Sequence, residues 1–223
     1  MLKINQIFNK NIKAVLFDMD GVVIDSEKLY SQSENILLSQ YGVKFDSSDW
    51  IKIKGCTENQ FYDLVYSKFK LDIPRSELMR QGRNFLKNIF SEKLHYMNGF
   101  IELYSLLREK YKLALVTSTG DELVNHIDSL LSIYNKFDIV ITSSNSKLHK
   151  PNPDPYLIAM KNLNVTPNEC VVIEDSVQGI KAGKSAGSHV IALVGSLEKK
   201  LLLGADYIIS DFNDLKNNLL QIN

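Results

Sequence analysis

Short apolar runs alternate with helical patterns along most of this chain, and that alternation limits the fold more than any other feature. Residues Ala14–Phe17, 113–116, Ile139–Ile141, 171–173 and 190–194 form brief apolar segments with many β-branched side chains. Runs of this length suit strands buried on both faces. Tyr207–Ile209 is weaker and predicts an edge strand. Between the runs, residues 101–110, 122–132, 155–162 and 176–186 carry helical patterns. Strands separated by helices predict βαβ units and a parallel sheet, an α/β fold.

The alternation stops between Ser26 and Met97. That interval offers only helical stretches, at 27–41, Glu58–Lys68 and 75–89, with Ile36, Leu37, Leu38 and Tyr41 on one expected apolar face. The simplest account is an all-helical insertion after the first strand, over the carboxyl edge of the sheet. The expected division is a core of residues 1–24 and 97–223 with a helical domain at 25–96. Asn98-Gly99 is a candidate hinge, because glycine tolerates a change of backbone conformation.

Composition narrows the partners. Of the 223 residues, 26 are Lys or Arg and 26 Asp or Glu, for a formal net charge of +0, so no global charge points to nucleic acid. No apolar run approaches the ~20 residues that cross a bilayer, and residues 1–11 lack the apolar core of a secretory signal. A cytoplasmic monomer without nucleic-acid or membrane partners is the expectation. Cys56 and Cys170 lack zinc-site spacing and are read as free thiols.

Chemistry-bearing residues follow the apolar runs. Asp18-Met19-Asp20-Gly21 ends the first, placing two carboxylates at the sheet edge where open α/β sheets bind ligands. One can attack or hold a metal while the other handles a proton; alone, the motif also reads as a turn. Thr117-Ser118-Thr119 ends the second run, where hydroxyls and N–H groups can hold an anion at a helix start; Thr119 or Asp121 can equally be an N-cap. Lys150 stands in a proline-rich turn, His149-Lys150-Pro151-Asn152-Pro153-Asp154-Pro155, as a pre-positioned charge for a phosphate oxygen; an isolated lysine is more commonly solvated. Glu174-Asp175-Ser176 follows another run. With Asp18 it can complete a site for Mg²⁺, which prefers oxygen ligands, or it can cap the next helix. The order and equivalent placement of all four groups favour a joint role.

These residues resemble the four motifs of the haloacid dehalogenase superfamily. Residues 17–26, Phe-Asp-Met-Asp-Gly-Val-Val-Ile-Asp-Ser, resemble the first, Thr117 the second, Lys150 with Pro151 the third, and Glu174-Asp175-Ser176 the fourth. The insertion resembles the cap of the β-phosphoglucomutase-like and phosphoglycolate phosphatase-like branch. The resemblance implies a Rossmann-like core with a mobile helical cap. It implies Asp18 as the nucleophile that forms an aspartyl-phosphate, and Asp20 as the acid and base. Thr117, Ser118, Thr119, Lys150 and Ser26 would contact the substrate. Asp18, the Asp20 backbone carbonyl and Asp175 would hold Mg²⁺, with Glu174 close by.

An acid at Asp20 favours phosphoester chemistry within that superfamily, hence a Mg²⁺-dependent phosphatase of small phosphorylated metabolites such as sugar phosphates. A β-phosphoglucomutase-type mutase is the alternative. Against it, Tyr30 stands where such mutases resemble a histidine, and Glu58 where they resemble an arginine, although Lys52, Lys54, Arg80 or Arg83 can substitute. A non-catalytic phosphometabolite-binding protein is the alternative of another class.

Overall fold

The computed structural model describes residues 3–8, 11–53, 55–195 and 197–221. In chain order it contains α1 (Ile4–Phe8), β1 (Ala14–Phe17), α2 (Glu27–Ser39), α3 (Ser47–Ile53), α4 (Glu58–Lys68), α5 (Arg75–Lys93) and α6 (Phe100–Arg108). There follow β2 (Lys112–Val116), α7 (Asp121–Leu131), β3 (Ile139–Ile141), α8 (Asp154–Leu163), β4 (Cys170–Glu174), α9 (Val177–Ser185), β5 (His189–Leu193), β6 (Tyr207–Ile209) and α10 (Phe212–Leu220). The strands form one sheet in the order β3-β2-β1-β4-β5-β6, with every neighbouring pair parallel. β1 is therefore interior, and β6 is the edge strand the sequence predicts.

Successive strand residues face opposite sides of a sheet. Val15, Phe17, Leu113, Leu115, Val171 and Ile173 enter one apolar layer with α1, α6, α7 and α10. Ala14, Leu16, Ala114, Val116, Cys170 and Val172 enter the other, with α8 and α9. Covering on both sides explains why the strands read as continuous apolar runs rather than alternating ones.

Helices α2 to α5 fill the interval after β1 and bury an apolar cluster of their own: Leu37, Leu38, Val43, Phe45, Phe61, Tyr62, Val65 and Leu78. α4 begins in a capping box, with Thr57 N donating to Gln60 Oε1 at 2.8 Å and Gln60 N donating to Thr57 Oγ1 at 3.3 Å. The chain leaves and re-enters the sheet region at one place. Ile24 bridges Tyr96, Asp25 N donates to His95 O and Met97 N donates to Val23 O, each at 3.0 Å. Gly99 has φ +78° and leads into α6.

Three helices escape the sequence reading. α1 is too short for a period to register, yet Ile4, Ile7 and Phe8 are buried. α3 starts where Asp46 Oδ1 accepts from Ser48 N at 2.8 Å and Asp49 N at 3.1 Å, a local turn signal that was available. α10 is capped by Asp211, which accepts from Asp214 N at 2.9 Å. Helix ends also move: α2 stops at Ser39 rather than 41, and α5 continues past 89 to Lys93. Ile36 faces outward at 38% exposure, while Leu37 and Leu38 are buried, so the apolar face of α2 is narrower than expected. Lys54, considered above as a cation for a second phosphate, lies outside the described residues. Among the described residues, no helix is long and apolar enough to cross a membrane.

Candidate active site

The carboxyl ends of β1, β2 and β4 meet at one edge of the sheet because these strands are neighbours in register. Asp18 is the first residue beyond β1, and its N–H continues the ladder by donating to Ile173 O at 3.0 Å. The chain then turns within a few residues through Gly21, whose φ is +74°. A side chain at Gly21 would place its Cβ 2.3 Å from Asp175 Oδ2, so the turn and the β4 loop need glycine there.

Lys150 stands at the centre. It is 2% exposed, and its ammonium donates to Asp18 Oδ1 at 2.5 Å, Glu174 Oε1 at 2.7 Å and Val116 O at 3.0 Å. Those three bonds use all three ammonium donors. The ring of Tyr156 lies 4.9 Å from the nitrogen, a cation–π contact. Burial disfavours the charge on Lys150, but Asp18 and Glu174 outweigh it and hold the lysine above its usual range. The solvated-lysine alternative is thereby overturned. The Lys150–Pro151 peptide is cis.

Glu174 is fully buried, and its carboxylate is saturated. Oε1 accepts from Lys150 and from Tyr156 OH at 2.8 Å; Oε2 accepts from Asp175 N at 3.0 Å, Ser176 N at 3.1 Å and Ser176 Oγ at 2.9 Å. Burial opposes its ionisation, but Lys150 and these donors hold its pKa below the usual value. Ser176 also caps α9 by accepting from Gly179 N at 2.9 Å. The capping alternative for this motif is thus realised alongside the charged cluster.

Oxygen atoms of Asp18, Glu174 and Asp175 lie within 4.8 Å of one another, all buried. A set of carboxylates alone suits a hard divalent cation. Glu174 already receives five hydrogen bonds, which leaves Asp18 and Asp175 as the donors better placed for a metal. Burial pushes Asp18 well above the usual carboxylate range. Lys150 opposes this, while the charges of Glu174, Asp175 and Asp20 add to it. One lysine among four carboxylates leaves an excess of negative charge that a cation would offset.

Asp20 faces a different environment. Ser26 Oγ donates to Oδ1 at 2.7 Å, and Thr119 Oγ1 donates to Oδ2 at 2.8 Å. Thr117 Oγ1 lies 3.4 Å from Oδ2, long for such a bond, and accepts from Thr119 N at 3.0 Å. Burial raises the Asp20 pKa, against the opposing influence of Ser26, Thr119, Lys150 and Thr117. Its side chain is thereby held by hydroxyls, outside the cluster of Asp18, Glu174 and Asp175.

The structure thus brings Asp18, Asp20, Thr117, Thr119, Lys150 and Asp175 together. It changes the contact expected of Ser26, and it gives the Ser118 hydroxyl a partner apart from the backbone N–H through which Ser118 is expected to act. Ser26 is fully buried and bonds Asp20, so it supports the carboxylate instead of facing a ligand. Ser118 lines the cavity above the site, but its hydroxyl donates to Gly55 O at 3.0 Å, a contact with the helical segment. Thr119 bonds Asp20 and does not cap α7.

Three participants were not anticipated. Tyr156 reaches Glu174 only because α8 aims it back at the sheet, which no local spacing encodes. Tyr30 OH lies 3.3 Å from Thr119 Oγ1; since Thr119 gives its proton to Asp20, Tyr30 is the donor. A Cβ on Gly179 would overlap the Glu174 carboxylate. A glycine inside a helix is unfavourable, so Gly179 carried a readable signal of close approach.

The haloacid dehalogenase-like hydrolase family matches residues 15–193. The phosphorylated carbohydrates phosphatase of Thermotoga maritima is 32% identical over 197 residues, covering 87% of this chain and 91% of that protein. The beta-phosphoglucomutase of Bacillus subtilis is 29% identical over 219 residues, covering 94% of each. The crystal structure of CbbY from Rhodobacter sphaeroides in complex with phosphate has a TM-score of 0.79 at 25% identity, covering 92% of this chain and 96% of that one.

Proposed function

The chain belongs to the haloacid dehalogenase-like hydrolase family and is a hydrolase of phosphoric monoesters; on that premise we propose that it is a Mg²⁺-dependent phosphatase of sugar phosphates or similar small metabolites. The observation that carries this reading is the separation of two carboxylates two residues apart. Asp18 is bound to Lys150 beside Asp175, and Asp20 is bound to hydroxyls. Contrasting environments divide a nucleophile from an acid.

In this reading an Asp18 carboxylate oxygen attacks phosphorus, and the bond from phosphorus to the ester oxygen breaks. Asp20 delivers its proton to that departing oxygen, a task suited to a carboxyl whose burial favours the protonated form. Asp20 then takes a proton from water, whose oxygen attacks the aspartyl-phosphate. The bond from phosphorus to the Asp18 oxygen breaks, releasing phosphate and restoring Asp18 as the carboxylate and Asp20 as the protonated acid. Thr117, Ser118, Thr119 and Lys150 line the phosphoryl position, where Lys150 offsets negative charge. Asp18, Asp175 and the Asp20 carbonyl would hold Mg²⁺, which supplies positive charge beside the phosphoryl oxygens and favours ionised Asp18. Residues 25–96 act as a cap on a core of 1–24 and 97–223.

A mutase must also seat the second phosphate of a bisphosphate. Arg83, a cation offered for that task, is occupied: Nε and Nη2 donate to the Glu58 carboxylate at 2.8 and 2.6 Å, and Nη1 donates to Glu122 at 2.8 Å. Those pairs support the phosphatase reading.

The test is phosphate release from a panel of phosphomonoesters, with Mg²⁺ and with EDTA. Mg²⁺-dependent release that is lost in folded Asp18→Asn is expected. Unchanged turnover in that variant would overturn the nucleophile. Conversion of β-glucose 1-phosphate to glucose 6-phosphate with a bisphosphate primer would establish the mutase instead, and retention of phosphoesters without turnover would establish a binder.

A further inference from the structure

The cavity above Asp18 and Asp20, about 810 Å³ in volume, extends from the sheet edge into the helical segment. One wall is a face of α2. Glu27, Tyr30 and Glu34 recur at helical spacing and all line the cavity. Tyr30 reaches Asp20 through Thr119. Glu34 stands one turn beyond Tyr30, about 6 Å further along the helix axis. If Asp20 protonates the ester oxygen, the rest of the departing alcohol extends from Asp20 along this wall and meets Glu34.

Glu34 is half-buried, and no described residue donates a hydrogen bond to it. Burial, and then the charge of Glu27, pushes its carboxyl up to about 8, so near neutrality it offers both a donor and an acceptor. Arg83 also lines the cavity, and its guanidinium is already bonded to Glu58 and Glu122. Lys28 reaches the cavity from an exposed position, where its charge remains solvated. Among the described residues, a second phosphate or a carboxylate at this depth would lose its hydration and meet carboxyl groups in place of an available cation, a costly burial. A sugar hydroxyl would find a partner.

We propose that Glu34 is the specificity-determining residue of this site, exchanging hydrogen bonds with a hydroxyl of an uncharged polyol leaving group and disfavouring substrates that carry a second anion. The inference rests on the phosphatase reading for the direction in which the leaving group points. It selects monophosphates of neutral sugars and sugar alcohols over bisphosphates and phosphorylated acids. The discrimination comes from an unmet carboxyl partner and, among the described residues, from the lack of a buried cation free to meet a second anion.

The experiment is steady-state kinetics on hexose and pentose monophosphates, the matching bisphosphates and 3-phosphoglycerate, for the wild type, Glu34→Gln, Glu34→Ala and Glu34→Lys. The wild type should favour its best monophosphate over the matching bisphosphate by roughly 100-fold in kcat/KM. Glu34→Ala should raise KM for that monophosphate about 10-fold, with kcat falling far less, and Glu34→Gln should recover most of the loss. Glu34→Lys should narrow the preference against bisphosphates by about 10-fold. Circular dichroism establishes that each variant is folded. Equal use of bisphosphates by the wild type, or an unchanged KM in folded Glu34→Ala, would overturn the proposal. Absence of phosphate release from every compound would instead overturn the phosphatase reading. Calorimetric binding of the same monophosphates to wild type and Glu34→Ala then decides on Glu34: weaker binding by the variant sustains its role, and equal binding ends it.

Discussion

A Cβ on Gly179 would lie 1.6 Å from Glu174 Oε1 and 1.9 Å from its carboxyl carbon. Glu174 has nowhere to go, because its two oxygens are held by Lys150, Tyr156, Ser176 and the backbone. Gly179→Ala must therefore displace either α9 or the carboxylate. The helix-propensity gain of about 1 kcal/mol expected from such a change should be reversed into a net destabilisation of roughly 2–4 kcal/mol. Urea denaturation measures this, and an equally stable or more stable variant would contradict the tight fit. Activity should fall with it, since Glu174 positions Lys150.

Lys150 is the buried cation shared by Asp18 and Glu174. Lys150→Met removes the charge and leaves both carboxylates buried. Breaking such an arrangement typically costs about 3–5 kcal/mol, and catalysis should be lost with it. A divalent cation held by Asp18 and Asp175 would offset part of the deficit. The drop in melting temperature should thus be larger in EDTA than in millimolar Mg²⁺, by the linkage between binding and stability. Identical drops in the two buffers would argue against a metal at these carboxylates.

Glu34 gives a stability effect with a defined sign. Its pKa is about 8 in the folded chain against an ordinary 4.5, raised first by burial and then by Glu27. Between those values the folded state keeps a proton that the unfolded state releases. Stability from this group is present in full below 4.5 and is lost as pH rises through 8. The ionisable groups around it are Glu27 and Tyr30 on α2, Glu58 and Tyr62 on α4, and Arg83 on α5. These are common to wild type and Glu34→Gln, so comparing the two isolates Glu34. The variant should show a flatter stability profile from pH 5 to 9 and exceed the wild type at pH 9 by roughly 1–3 kcal/mol, allowing for partial solvent contact. Parallel urea-denaturation profiles would refute this.

The sheet was legible because its strands are buried on both faces. Runs such as Ala14–Phe17 suit strands covered on both faces, and a parallel sheet brings their carboxyl ends to one edge, whereas the placing of β1 between β2 and β4 was not legible. Asp18, Thr117, Lys150 and Asp175 were legible for the same reason, since each directly follows a run or a rigid turn. Contacts made across the fold were not. Tyr156 meets Glu174 through the angle at which α8 crosses the sheet, and Arg83 meets Glu58 across 25 residues of chain. Ser26 belonged to a recognisable motif, but its hydroxyl turns toward Asp20, a rotamer choice that no spacing encodes. α1 was missed because five residues are too few for a period, even though Ile4, Ile7 and Phe8 are buried.

The bridge between Ile24 and Tyr96, with Asp25 bonded to His95 and Met97 to Val23, brings the two ends of the helical segment side by side. The core therefore sees that segment as a loop with fixed, adjacent anchor points, whatever lies between them. An insertion with closely spaced ends imposes little closure entropy that depends on its contents. With its two ends paired, the segment can vary in content without moving the joints. A change in its length or wall chemistry would leave the register of the strand ends that carry Asp18, Thr117 and Asp175 in place.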